Sequence, residues 1–154
     1  MAVGFEHSTE INAPPEVVFD LSLDIDAHLA SMSESRERAV AGVMTGRIGL
    51  NEEVTWRATH FGIPFTMTNR VTALDRPRRF VDEQVRGPFR RFHHEHVFEP
   101  RGSGTVMIDR VSFSAPLGPL GSAAERVALA GYMCRLIEKR ASFLKVAAER
   151  QPRT

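Results

Sequence analysis

Residues 122–149, SAAERVALAGYMCRLIEKRASFLKVAAE, decide the architecture, because they form the long apolar-striped segment against which the rest of the chain can pack. Ser122 and Glu125 have the spacing of a capping box, in which each side chain takes up a backbone N–H that the first helical turn leaves free. Ala123, Val127, Ala130, Cys134, Ile137, Ala141, Leu144 and Ala148 then step by three or four along one seam. Arg135, Glu138, Lys139, Ser142, Lys145 and Glu149 populate the other side. A helix over this segment is about 42 Å long, enough to cross a whole sheet.

Upstream of it the period is that of strands. Residues 52–60, 64–74, 79–86, 89–99 and 105–114 are rich in β-branched and aromatic residues. Turn signals separate them at Phe61-Gly62, Asp75-Arg76-Pro77, Gly87-Pro88 and Arg101-Gly102-Ser103-Gly104. Connections this short make an antiparallel meander. Residues 4–11 alternate loosely and read as a further strand. Asn12-Ala13-Pro14-Pro15-Glu16 then supplies a cap residue, first-turn prolines and an acid near a helix start, which predicts a short helix over 15–21. Ile25, Leu29 and Met32 within 24–32 continue it as a second short helix. A single curved sheet must bury its apolar face, and the long helix is the element that can cover it, with the short helices closing one end. The class is therefore α+β, as one domain over residues 1–150 with a tail at 151–154.

Composition excludes several functions. A chain of 154 residues with 42% hydrophobic and 25% charged residues is typical of a globular domain and not of a disordered or membrane protein. Twenty Lys and Arg against 19 Asp and Glu leave a formal charge of +1, with no global field to recruit nucleic acid. Arg76, Arg78, Arg79, Arg86, Arg90 and Arg91 read as solvated strand-end arginines. The single cysteine, Cys134, has no intramolecular disulfide partner and reads as a small hydrophobe on the long helix. Glu6, His7, Glu10 and Asn12 interrupt any signal peptide, and no apolar run approaches the length of about 18 needed to span a bilayer. A cytoplasmic protein without membrane insertion is expected.

The order strand, two short helices, meander, long helix is accompanied by three motifs: INAPPEVVF (residues 11–19), FVDEQVRGPFRRFHHEHVFE (80–99) and GTVMIDRVSFSAPLGPLG (104–121). Together they resemble the helix-grip proteins of the START, Bet v 1 and polyketide cyclase superfamily, also called SRPBCC. Within it the chain is most similar to bacterial single-domain members, many of unassigned function. The resemblance covers essentially the whole chain. It implies a curved antiparallel sheet wrapped around the C-terminal helix, with an elongated cavity between them that accepts lipids, hormones, polyketides or other apolar molecules. It does not imply catalysis, because carriers, receptors, cochaperones and enzymes share the scaffold.

Strand alternation then selects candidate site residues. Phe92, His94, His96 and Phe98 share one face of their strand, and the aromatic bookends mark that face as inward. Met107, Asp109, Val111 and Phe113 share a face of the next strand. Residues 80–85 are ambiguous, because Val81 and Val85 form one face while Phe80, Asp82 and Gln84 form the other. If the second face is inward, Asp82, Gln84, His94, His96 and Asp109 meet as a polar island in an apolar cavity. Trp56, His60 and Met67, with Tyr132, Met133 and Leu136 on the long helix, complete the expected lining.

Three readings of the island stay open. Its members can satisfy one another and orient the polar end of a ligand. His-x-His with a neighbouring carboxylate also has the ligand types for zinc, iron or manganese. The same four groups, His94, His96, Asp82 and Asp109, could instead perform the acid/base work of a cyclase or dehydratase. The leading expectation is binding of a small, largely apolar molecule by a monomer or homodimer, without cofactor or metal. A protein-interaction module is the third class, for which only Leu117 and Leu120 in a proline-marked loop speak.

Overall fold

The computed structural model describes residues 2–114 and 123–152. Strand β1 (Ala2–Ile11) leads into helices α1 (Pro15–Ser22) and α2 (Ile25–Ser31) and a 3-10 turn at Ser33–Ser35. Strands β2 (Arg38–Gly42), β3 (Glu53–His60), β4 (Ile63–Asp75), β5 (Arg79–Arg86), β6 (Arg91–Arg101) and β7 (Gly104–Ser114) follow, and helix α3 (Ala123–Glu149) ends the chain. The strands form one curved seven-stranded antiparallel sheet in the order β1-β7-β6-β5-β4-β3-β2. β1 pairs with β7 from Ala2 opposite Ser114 to Ile11 opposite Thr105, so the first and last strands lie side by side.

β2 is the strand that the sequence does not announce. It is a short edge strand with a bulge between Ala39 and Ala41, and four of its five residues are exposed, so it has no apolar alternation to read. The α1 start also differs in detail. Its cap residue is Pro14, while the Asn12 backbone N–H donates to Glu149 Oε1 at 2.9 Å and ties the end of α3 to the β1–α1 turn. Asp24 caps α2 by accepting from the Ala27 backbone N–H. Thr105 Oγ1 donates to the Ala13 carbonyl at 2.7 Å, and a Cβ on the adjacent Gly104 would come within 2.7 Å of the Ile11 carbonyl oxygen. Only glycine lets β7 begin that close to β1. Ser122, Leu117 and Leu120 lie outside the described residues.

The main core joins the sheet, α1 and the second half of α3. Phe19 packs edge-on against Phe80 and Phe98, with Val18, Met107, Leu144 and Ala148 around them. On α3 the seam read from the sequence holds from Ile137 onward, through Ala141, Leu144 and Ala148. It drifts over the first turns: Val127 is 72% exposed, and the inward stripe there runs through Leu129, Met133 and Leu136. Apolar residues occupy two adjacent stripes in that half, and steps of three and four fit both. Among the described residues no helix is long and apolar enough to cross a membrane.

The helix orientation makes a direct prediction. Leu144, 1% exposed, loses about 3 kcal/mol of stability on Leu144→Ala, whereas Val127→Ala changes it by less than about 0.5 kcal/mol. Urea denaturation of the two variants checks this, and comparable losses would contradict the docking of α3.

Candidate functional site

Alternation along β6 places Phe92, His94, His96 and Phe98 inward, and all four are buried. Register does the rest. Asp82 on β5 stands opposite His94, and Asp109 on β7 stands opposite His96. Each carboxylate bonds the diagonal imidazole: His96 Nε2 lies 2.7 Å from Asp82 Oδ1, and His94 Nε2 lies 2.8 Å from Asp109 Oδ1. Across the strands, His94 Nδ1 is 3.9 Å from Asp82 Oδ1 and His96 Nδ1 is 3.3 Å from Asp109 Oδ1. The imidazoles stack on each other with centroids 3.7 Å apart, and Phe80 stacks on His96 at 4.0 Å. The result is a square of alternating imidazole and carboxylate with an aromatic floor.

The charges follow from burial and these bonds. Burial raises the Asp82 carboxyl, but the His96 hydrogen bond and the charges of His94, His96 and Arg140 outweigh it and bring it down to about 2. Asp109 has no exposed side-chain surface, yet bonds from His94 and His96 and the Arg140 charge hold it well below the usual carboxylate range against the cost of burial. Both carboxylates are therefore acceptors only, so each imidazole Nε2 must carry the proton it shares. Burial, and the positive charge that the neighbouring imidazole can carry, push His94 down to about 4 against the pull of Asp109 and Asp82. At neutral pH its Nδ1 is a bare lone pair.

Arg140 is the residue that sequence reading missed. It is 3% exposed on α3, with Nη1 3.5 Å from Asp109 Oδ1 and Nη2 donating to the Ser22 carbonyl at 3.3 Å. A signal existed: Arg140 falls three residues after Ile137 and four before Leu144, inside the buried stripe. A buried guanidinium demands a carboxylate partner. Asn69 on β4 was missed as well, and its Nδ2 donates to Asp82 Oδ2 at 2.8 Å.

Between this square and α3 lies a cavity of about 600 Å³. Of the expected lining, Trp56, His60, Met67, Phe80, Asp82 and Phe92 face it, as do His94, His96, Tyr132, Met133 and Leu136. Five others do not. Phe98 and Met107 pack in the core behind α1, and Phe113 packs with Phe92 and Val111 in a second apolar cluster. Asp109 lies beneath the histidines. Gln84 turns back to bond Phe89 through both ends of its carboxamide, at 2.7 and 3.2 Å, in space that a Cβ on Gly87 would fill. The β5 parity thus holds for Phe80 and Asp82, and the turn then captures the next side chain.

Further polar groups on the wall are paired. His60 Nδ1 lies 2.6 Å from the Tyr132 hydroxyl, with the exposed Phe61 ring 4.6 Å from Tyr132. His28 Nε2 lies 2.7 Å from Glu37 Oε1 and stacks on Trp56 at 4.3 Å. Burial lowers His60 and raises the Cys134 thiol, and Cys134 does not face the cavity. Of the strand-end arginines, Arg76, Arg78 and Arg79 pair with Asp20, Asp75 and Glu95.

Ligand atoms of Asp82, His94 and His96 lie within 4.8 Å of one another, the separation a metal ion would need. The two imidazoles, however, are stacked on each other and not arranged edge to edge. Imidazole lone pairs lie in the ring plane, so a metal shared by both would require the rings to tilt toward each other. Both Nε2 atoms are committed to carboxylates, and Arg140 already supplies the positive charge. As arranged, the four side chains form a proton-sharing network.

Acid should loosen this network. Asp82 titrates near 3.8 when unfolded and about 2 when folded, so its contribution is complete above about pH 4 and is lost as pH falls toward 2. For His94 the values are 6.5 and about 4, so the unfolded chain takes up the proton first and stability falls between those limits, by up to about 3 kcal/mol. Urea unfolding at pH 7 and pH 4.5 should show this loss, and His94→Gln should reduce its slope whatever its effect at pH 7. An unchanged slope would contradict the burial of a neutral His94.

The fold has counterparts among solved structures. The ZhuI aromatase/cyclase from Streptomyces sp. R1128 superimposes with a TM-score of 0.80 at 17% identity, over 100% of this chain and 98% of that one. TTHA0849 from Thermus thermophilus gives 0.75 at 20% identity, over 95% and 99%. Major latex-like protein 151 from Panax ginseng gives 0.69 at 10% identity, over 99% of each chain. No curated protein matches the chain in sequence. The family model described as polyketide cyclase / dehydrase and lipid transport matches residues 2–149, and the chain belongs to that family.

Proposed function

We propose that this protein binds a small, largely apolar molecule in the cavity between the sheet and α3. The observation that carries the reading is the cavity: its volume of about 600 Å³ lies in the usual range for small-molecule sites, and its wall is predominantly apolar with its polar side chains mostly paired. The soft side chains of Met32, Met67 and Met133 on the wall suit ligands of varied shape. The family, described by both cyclase chemistry and lipid transport, is consistent with such a ligand.

A specific observation also favours a second reading. His94 presents an unbonded Nδ1 on the cavity wall while Asp109 holds its Nε2–H, the arrangement of an oriented general base. A cyclase or dehydratase requires such a base to take a proton from a bound substrate, and the similarly folded ZhuI is an aromatase/cyclase, which supports this reading. Binding and turnover separate cleanly: a bound compound recovered unchanged after prolonged incubation indicates a carrier, and one converted in a His94-dependent way indicates an enzyme. Turnover that survives His94→Ala would remove His94 from the mechanism.

Trp56 is the single tryptophan and lines the cavity, so its fluorescence reports occupancy. A neutral apolar probe such as N-phenyl-1-naphthylamine should perturb it saturably. Leu136→Trp, which narrows the cavity, should weaken that binding at least about tenfold, the effect of roughly 1.4 kcal/mol. The matching change at the exposed Val146 should leave it unaltered. Equal affinities for both variants, or no saturable binding to the unaltered protein, would contradict the reading.

A further inference from the structure

Resting on that reading, we propose that the polar end of the bound molecule is a hydrogen-bond donor, a hydroxyl or a protonated amine and not a carboxylate, and that it sits between Asp82 and His94.

The hydrogens nearest the gap between Asp82 and His94 are already committed. The Nε2 hydrogens of His96 and His94 go to Asp82 and Asp109. The Asn69 amide goes to Asp82, and Arg140 is divided between Asp109 and the Ser22 carbonyl. What remains is a surplus of acceptors. Asn69 Oδ1 and Asp109 Oδ2 are buried without any hydrogen-bond partner. These unpartnered acceptors show how short of donors the surroundings of the square are.

Two acceptors of the square face the cavity. Asp82 keeps a fifth of its side-chain surface exposed, and a carboxylate oxygen that has accepted one bond can accept another. His94, only 5% exposed, has no hydrogen bond at Nδ1. Nδ1 and Asp82 Oδ1 are 3.9 Å apart, so two acceptors confront each other with no hydrogen between them. A donor atom about 2.8 Å from each fits that gap, and an ammonium or a water can bond both at once. A carboxylate would add a third acceptor beside them.

Charge points the same way. Arg140 lines the cavity too, but the bonds of its guanidinium run to Asp109 and the Ser22 carbonyl and not to Asp82. An anion placed in the gap between Asp82 and His94 would lie against the Asp82 carboxylate, in surroundings where water screens poorly. The other polar pairs of the wall, His60 with Tyr132 and His28 with Glu37, are bonded within themselves on β3, α2, α3 and the segment before β2.

The test is a matched series on one apolar body: pyrene, pyrenemethanol, pyrenemethylamine and pyrenecarboxylate, titrated against the unmodified protein at neutral pH by pyrene and Trp56 fluorescence. Pyrenemethanol and pyrenemethylamine should bind about tenfold tighter than pyrene, the worth of one well-placed hydrogen bond, and pyrenecarboxylate should bind more weakly than pyrene. Asp82→Asn should bring the carboxylate to parity with the amine. A carboxylate that binds as tightly as pyrene, donor compounds that bind no better than pyrene, or a preference unaltered by Asp82→Asn overturns the inference while leaving the apolar site intact. Failure of all four to bind overturns the site itself. The series on the unmodified protein decides the matter even if the variant does not fold.

Discussion

An ionised carboxylate with no exposed surface must be surrounded by donors, and Asp109 imposes that requirement on everything around it. Its neighbours answer it from three elements. β6 supplies two imidazoles at alternate positions, α3 supplies a guanidinium, and β5 supplies a second carboxylate that takes the remaining imidazole proton. A register slip of one residue between β6 and either neighbour would send one member to the convex face and leave the others buried and unpaired. The network therefore fixes strand register and the docking of the helix together, a role that apolar packing alone fills less strictly.

The same helix is asked to do two things. From Ile137 to Ala148 it is packed as core against α1 and the sheet, while from Leu129 to Leu136 it stands off the sheet as the roof of the cavity. Polar contacts hold that separation: His60 to Tyr132 between β3 and α3, and Arg140 to Ser22 between α3 and α1. A cavity flanked by close-packed core at one end and polar struts along its sides resists collapse. Reading the site as a holder of apolar molecules depends on this division of α3.

Strong periodic segments made most of the fold legible, and the residues that were misread show where periodicity stops. Phe92 and Phe98 bracketing two histidines gave the parity of β6, and Met107, Val111 and Phe113 gave that of Asp109, while the parity of Asp82 stayed ambiguous until register placed it opposite His94. β2 escaped because an exposed, bulged edge strand carries no alternation. Gln84 followed the strand parity on paper, but a glycine at position 87 leaves room for its side chain to bend back onto Phe89, which is a turn effect and not a strand effect. Arg140 lay in view within the buried stripe. Counting apolar positions alone hid it, since the informative residue of a stripe is the charged one.

The most direct measurement of the account is the protonation of His94, read from side-chain nitrogen chemical shifts by NMR at neutral pH. The structure predicts a neutral ring protonated at Nε2, with Nδ1 bare and facing the cavity. A His94 protonated at Nδ1, or carrying protons on both nitrogens, would contradict it, and the acceptor wall on which the ligand reading stands would be lost.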